Sequence, residues 1–241
     1  MSKRTSPTTA TTTAEPAAGL KTTSILFVGN SFTARNNVPG LIAQLARGPD
    51  GKTGHTVEHR LIQAGGASLR MHLNKGDAAA ALRDGRFDYV VLQEQSTLPI
   101  KNATRMHENV REFDALIRAA GAKTVLYMTW ARLEAAADAQ QRIADAYTAV
   151  GREIGAIVVP AGLAWRAFLA KHKAPVLHDA DKSHPTLAGS YLAACTFHAT
   201  LFGGEPVGEA REAEKLDPDH RGALRRVAAE TAKSFGAPTS R

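Results

Sequence analysis

The chain has 241 residues, 44% of them hydrophobic and 22% charged, which is typical of a globular protein, and no apolar run approaches the roughly 20 residues of a membrane helix. Its formal charge of +7 comes from lysines and arginines scattered among acidic residues, so the sequence predicts no nucleic-acid partner. The single cysteine, Cys195, excludes an intramolecular disulfide and a cysteine-rich metal site, and its apolar neighbours predict a core residue.

The N-terminal segment is rich in threonine, alanine and proline and cannot bury apolar area, which predicts a disordered tail over residues 1–21. It lacks the apolar stretch of a secretory signal, so we expect a cytoplasmic protein, unless a signal was removed ahead of the first residue. Residues 22–241 are expected to form one domain, whose last element is a charged amphipathic helix over residues 217–235.

The first predicted strand is the apolar run from Ser24 to Val28. Gly29 ends the run and permits a sharp turn, and Asn30 and Ser31 follow at the exit of the strand. Active sites of open α/β sheets collect at the carboxyl ends of the strands. Ser31 is therefore a candidate nucleophile, with a turn serine that caps a helix as the alternative.

The remainder of the chain alternates helices and strands. The predicted helices cover residues 39–47, 69–82 with a break near Gly76, 103–120, 134–150, 162–171 and 185–202, and the predicted strands cover residues 55–63, 87–92, 123–130 and 156–160. This alternation predicts a parallel sheet covered by helices on both faces. Because such crossovers are right-handed, the carboxyl ends of all five strands share one edge.

Two of the loops at that edge have compositions suited to catalysis. Gly65 and Gly66 follow the second strand, and backbone N–H groups in a glycine turn can approach a developing negative charge without a side chain in the way. Four polar residues, Gln93 to Ser96, follow the third strand. They offer amide donors to a site, or they form an ordinary loop.

A carboxylate and an imidazole stand three residues apart near the C-terminal end of the chain. Asp181 can accept a hydrogen bond from Nδ1–H of His184, which leaves Nε2 free to accept from a serine hydroxyl. A helix cap beside a surface histidine is the other interpretation. A third is a metal-dependent phosphoesterase built from His178, Asp179, Asp181 and His184, although no carboxylate or histidine stands at the end of the first strand to complete it.

Four separated blocks, GNSFT, GGASL, VVLQEQS and DKSHPT, resemble in order those of the SGNH hydrolases, the GDSL-type esterase and lipase superfamily, and are most similar to a branch whose first block reads GNSFT. The resemblance covers residues 25–203. It implies a three-layer α/β/α sandwich with a flavodoxin-like parallel five-stranded sheet in the order 2-1-3-4-5. In that order the second and third strands flank the first, so Gly66 and Gln95 are expected on either side of Ser31.

The resemblance also implies roles for these residues. Ser31 is the expected nucleophile, His184 the general base and then acid, and Asp181 the group that orients the imidazole. The oxyanion is expected to bind the backbone N–H groups of Ser31 and Gly66 and a side-chain amide. The superfamily supplies that amide from an asparagine, whereas this chain has Gln95 in register, with Gln93 as the alternative donor.

The expected reaction is the hydrolysis of a carboxylic ester through an acyl-enzyme, with no metal or cofactor. The absence of a long apolar lid favours small or acetyl esters, including esters on carbohydrate. Asn30, Gln93 and Trp130 are candidate substrate contacts, although a turn role for Asn30 and a core role for Trp130 and Trp165 remain open. A non-catalytic carbohydrate-binding or scaffolding module of the same fold is the alternative function, and the oligomeric state is not predicted.

Overall fold

The computed structural model describes residues 20–236, and the predicted tail over residues 1–21 lies almost entirely outside them. The described residues contain a parallel five-stranded sheet in the order β2-β1-β3-β4-β5, which confirms the predicted topology. Its strands are β1 (Thr22–Gly29), β2 (Thr56–Gln63), β3 (Tyr89–Leu92), β4 (Lys123–Tyr127) and β5 (Ile157–Val159).

Helices cover both faces of this sheet. In chain order they are α1 (Ser31–Ala34), α2 (Val38–Ala46), α3 (Leu69–Lys75), α4 (Asp77–Asp84), α5 (Leu98–Lys101), α6 (Ala103–Ala119), α7 (Ala139–Ile154), α8 (Ala161–Lys171), α9 (Leu187–Leu201) and α10 (Pro218–Gly236), with 3₁₀ turns at Arg35–Asn37 and Arg211–Lys215. None of the helices within residues 20–236 is both long and apolar enough to cross a membrane.

The core consists of two layers separated by the sheet, because successive side chains of a strand point to opposite faces. Ile25 and Phe27 of β1 pack with α2, α8, α9 and α10 on one face. Leu26 and Val28 pack with α3, α4, α6 and α7 on the other face. All four side chains are buried, as expected for a central strand of a parallel sheet.

The pairing of the strands places the loops that follow them side by side. Gly29 of β1 lies opposite Gln63 of β2, and Val28 lies opposite Leu92 of β3. The residue after β1 is therefore flanked by the loop after β2 and the loop after β3.

Two helix starts differ from the sequence prediction by more than one residue. The helix predicted from residue 134 begins at Ala139, because residues 131–138 form a loop held by tertiary hydrogen bonds, among them Ala131 N–H to the Gln140 side chain. The helix predicted from Pro185 begins at Leu187. Its N-cap is Thr186, whose hydroxyl accepts from the Gly189 N–H, so Pro185 lies outside the helix.

Candidate active site

Ser31 is the first residue of α1, directly after the turn that ends β1. Asn30 is the N-cap of α1, since its Oδ1 accepts from the Phe32 N–H at 3.0 Å. Its Nδ2 donates to the Ala67 carbonyl at 3.0 Å. Both ends of the buried Asn30 amide thus bond to the backbone, which favours the turn role that the sequence left open, while a substrate contact stays a prediction.

Folding brings Ser31, His184 and Asp181 into one hydrogen-bonded line. Ser31 Oγ lies 2.8 Å from His184 Nε2, and His184 Nδ1 lies 2.5 Å from Asp181 Oδ2. This is the geometry in which a carboxylate fixes the tautomer of an imidazole and the imidazole can take a proton from a serine. The line is open to solvent on one side, because the side chains of His184 and Asp181 are 26% and 44% exposed.

The Asp181 carboxylate is held ionised by the loop that carries it. Its Oδ1 accepts from the N–H groups of His184 at 2.8 Å and Ser183 at 3.0 Å. The His184 N–H, the His184 imidazole and the Ser183 N–H together lower the pKa of Asp181 far below its usual range. The Asp181 carboxylate is therefore negatively charged at neutral pH and at moderately acidic pH.

The glycine turn after β2 lies next to the end of β1, from which Ser31 follows. Gly66 has φ +67°, and a Cβ built on Gly65 or Gly66 would meet no heavy atom within 4 Å, so the turn borders open space. The turn is anchored by Ala67, whose carbonyl accepts from Asn30, and by Ala64, whose N–H donates to the Gly29 carbonyl. Its backbone is thus fixed to the end of β1 while its outer side remains accessible.

The polar loop after β3 contains one glutamine whose side-chain amide is hydrogen-bonded at both its oxygen and its nitrogen. Gln93 is buried; its Oε1 accepts from the Asn30 N–H and the Thr33 hydroxyl, and its Nε2 donates to the Glu94 carbonyl. It braces the turn before Ser31, and its burial and these contacts favour that structural role, while a contact with substrate or with the oxyanion stays a prediction.

The second glutamine of that loop remains a candidate donor. Gln95 Oε1 accepts from the N–H and hydroxyl of Thr97 and from the Leu98 N–H, at 2.9 to 3.0 Å, and so caps the start of α5. Its amide nitrogen makes no hydrogen bond within residues 20–236. The role of Gln95 at the oxyanion stays a prediction.

Trp130 does not offer a face to substrate. The side chain is 1% exposed, and its ring is stacked between Phe32 and Trp165, with centroids 4.9 and 3.8 Å away. The core interpretation of the two tryptophans replaces the prediction of a substrate contact.

Sequence reasoning missed the role of Glu94, a carboxylate buried beneath the two loops that flank Ser31. Its Oε1 accepts from the N–H groups of Leu69 at 3.0 Å and Gln95 at 2.7 Å, and its Oε2 accepts from Asn109 Nδ2 at 3.0 Å. Arg70 Nε in turn donates to Asn109 Oδ1 at 3.0 Å. The run of four polar residues was the available signal, but the run does not reveal which side chain points inward.

The metal-site interpretation finds no support in the described residues. His178 Nε2 is 3.0 Å from the Ala131 carbonyl, and Asp179 pairs with Arg35 at 2.5 Å. Within residues 20–236 no group of three or more histidine, cysteine, aspartate or glutamate side chains is arranged to hold a metal ion. Cys195 is buried in the core, as predicted.

Comparison with solved structures identifies similar chains. A protein from Slackia heliotrinireducens described as an SGNH hydrolase is 32% identical, with a TM-score of 0.62 over 72% of this chain and 96% of that one. A DUF4886 family protein from Bacteroides uniformis is 20% identical, with a TM-score of 0.65 over 91% of this chain and 98% of that one.

An acetylxylan esterase from Geobacillus stearothermophilus is 16% identical, with a TM-score of 0.52 over 75% of this chain and 95% of that one. No protein-family model matches the chain, and no curated protein does. The first of the three structures is similar in sequence as well as in fold, and the other two show the fold alone.

Proposed function

The chain belongs to the SGNH hydrolase family, and from that membership we propose that it hydrolyses carboxylic esters by means of a triad of Ser31, His184 and Asp181. The observation that carries the proposal is the hydrogen-bonded line from Ser31 Oγ through His184 to Asp181, with separations of 2.8 and 2.5 Å. Ser31 and His184 are 153 positions apart in the sequence, and a helix-capping motif at Asp181 would not bring them into contact.

In the proposed mechanism, Ser31 Oγ attacks the ester carbonyl while His184 Nε2 takes the hydroxyl proton. The negative charge of Asp181 stabilises the imidazolium, which then protonates the leaving alcohol. The oxyanion is bound by the N–H groups of Ser31 and Gly66 and by the Gln95 amide. Water, activated by His184, hydrolyses the acyl-enzyme and releases the acid. Each oxyanion donor contributes about 3 to 4 kcal/mol in comparable acyl transfers.

Small or acetyl esters, including esters on carbohydrate, are the proposed substrates. The open space beside Gly65 and Gly66 and the exposed side of His184 support this proposal, because neither provides the enclosed apolar channel that a long acyl chain would fill. The acetylxylan esterase among the similar folds makes acetylated sugars the first group to assay.

The test measures hydrolysis of a chromogenic acetate ester by the parent and by Ser31→Ala and His184→Ala. Each triad substitution is expected to lower kcat/KM by about 1,000-fold or more. Ser234→Ala, which removes an exposed serine of α10, is the control and should leave the rate unchanged. Full activity of Ser31→Ala would refute the proposal.

A fluorophosphonate probe separates an esterase from a non-catalytic module of the same fold. Such a probe reacts with an activated serine and not with an ordinary surface hydroxyl. We expect the parent and Ser234→Ala to be labelled and Ser31→Ala to remain unlabelled. A parent that is neither labelled nor active on any ester would favour the non-catalytic alternative.

A further inference from the structure

We infer that Trp130 is a positioning residue that holds the nucleophile and the base of the proposed triad at their working separation; the inference rests on the proposed function. Trp130 follows β4, and among residues 20–236 it makes no hydrogen bond to Ser31, His184 or Asp181. It acts instead on the residues next in sequence to Ser31 and to His184.

The first contact fixes the nucleophile side. The Trp130 ring lies parallel to the Phe32 ring, with 7° between their planes and 4.9 Å between their centroids. Phe32 follows Ser31 in the chain, and its ring also meets the His184 ring edge-on at 5.4 Å. The Phe32 ring thus lies between the Trp130 indole and the His184 imidazole, so a shift of the indole would also move Phe32.

The second contact fixes the base side. Trp130 Nε1–H donates to the Ser183 carbonyl at 3.0 Å, one residue before His184. Because the indole is 1% exposed, water cannot replace this acceptor, so breaking the bond would strand a buried donor. The Leu133 N–H donates to the Lys182 carbonyl at 2.9 Å, which extends the attachment along the same loop.

The Trp130 side chain thus contacts both the residue after Ser31 and the residue before His184. The Ser31 Oγ to His184 Nε2 separation of 2.8 Å leaves little room for drift. A displacement of about 1 Å in a catalytic group can cost about 100-fold in rate. Loss of the indole N–H should therefore lower kcat more than it raises KM, since no substrate contact is removed.

Trp165 provides a matched control. It stacks on the opposite face of Trp130, with 1° between the planes and 3.8 Å between centroids, and it is equally buried. Its Nε1, however, has no hydrogen-bond partner among residues 20–236. Trp165→Phe and Trp130→Phe remove the same atoms from the same stack, but only Trp130→Phe removes a hydrogen bond to the His184 loop.

The activity test compares the parent, Trp130→Phe and Trp165→Phe on a chromogenic acetate ester. We expect kcat to fall about 10-fold or more in Trp130→Phe, with KM within about 2-fold of the parent, and to fall less than about 3-fold in Trp165→Phe. Equal losses in the two variants would overturn the inference, because they would reflect the stack and not the hydrogen bond.

A second measurement remains valid if Trp130→Phe folds poorly. The chain has two tryptophans, so in a Trp165→Phe background only Trp130 is replaced when the protein is produced with benzothienylalanine, an isostere of tryptophan that lacks the N–H. This protein should keep its melting temperature within a few degrees and still lose about 10-fold in kcat. Unchanged kcat would refute the positioning role.

Proton NMR distinguishes this inference from the proposed function. The proton between His184 Nδ1 and Asp181 should give a low-field resonance in the parent and in Trp165→Phe, and it should broaden or disappear in Trp130→Phe. Such a loss would support the positioning role even if the parent hydrolyses no ester, which would refute only the proposed function. A resonance unchanged in Trp130→Phe would count against the positioning role.

Discussion

Replacement of Glu94 by alanine should destabilise the protein by about 3 kcal/mol, because it strands buried donors. The side chain is 0% exposed, and its carboxylate accepts from the Leu69 N–H, the Gln95 N–H and Asn109 Nδ2. Each stranded buried donor costs about 1 to 3 kcal/mol, and the low end of that range applies because local relaxation recovers part of the loss. For a chain of this size the corresponding fall in melting temperature is about 6 to 12 °C.

Glu94→Gln separates the contribution of the hydrogen-bond acceptors of Glu94 to stability from the contribution of its charge. The glutamine Oε1 can still accept from Leu69 and Gln95, while its NH₂ group faces Asn109 Nδ2, whose own amide is held in place by Arg70. We expect a loss of about 1 kcal/mol from this single mismatch. The measurement is urea unfolding at pH 7 for the parent and both variants.

Glu108→Ala is the control for this series. Glu108 lies on α6 and pairs with Arg105 at the surface, where such a pair contributes about 0.3 to 0.5 kcal/mol. A Glu94→Ala protein that melts within 2 °C of the parent, roughly the 1 kcal/mol limit for this size, would refute the hydrogen-bond reasoning. A Glu94→Gln protein as unstable as Glu94→Ala would show that the charge matters more than the acceptors.

Three further predictions concern titrating groups. Burial, aided by the nearby His55, lowers the pKa of His198 from 6.5 to about 4, so at this residue the unfolded chain binds more protons. Between pH 7 and pH 5, His198 should therefore contribute about 2 kcal/mol to the parent's loss of stability. His198→Leu should lose that much less in urea unfolding at the two pH values; an equal loss would contradict the assignment. Because the pKa of Asp181 is lower in the folded than in the unfolded chain, ionised Asp181 stabilises the fold at pH values above the unfolded pKa of 3.8. The difference in stability between the parent and Asp181→Asn should therefore shrink as the pH falls below 3.8. A difference that does not depend on pH would contradict this account. Burial raises the pKa of Cys195 to about 12. A thiol reagent at pH 8 should therefore label the unfolded chain and not the native one. Rapid labelling of the native protein would contradict the burial of Cys195 in the core.

The strands and the turns that end them were accessible from sequence because hydrophobic runs and glycine breaks are local signals, whereas the order of the strands in the sheet came from the family resemblance. The run from Ser24 to Val28 and the glycine turn at Gly65 and Gly66 both lie where the pattern predicted them. The pairing of Ser31 with His184 was predicted only with the help of the family resemblance, since nothing in either segment alone specifies a partner 153 residues away.

Sequence was least informative for side chains whose roles are set by tertiary contacts. Gln93 follows the predicted third strand, and Trp130 was the last residue of the predicted fourth strand, which ends instead at Tyr127; both side chains are buried. Gln93 meets Asn30 and Thr33, and the neighbouring Glu94 meets the backbone of Leu69. Composition cannot distinguish the inward from the outward member of a polar run, because the turn that orients them depends on the neighbouring strand.

The 153-residue separation of Ser31 and His184, the nucleophile and base of the proposed triad, has a consequence for synthesis of the protein. A growing chain exposes Ser31 early, but the imidazole emerges only with the segment that leads into α9, after every strand of the sheet has been made. Hydrolysis would therefore be a late event in translation, so a chromogenic ester added to a coupled synthesis reaction would report finished molecules and ignore truncated ones. A premature stop before codon 184 should yield protein without signal.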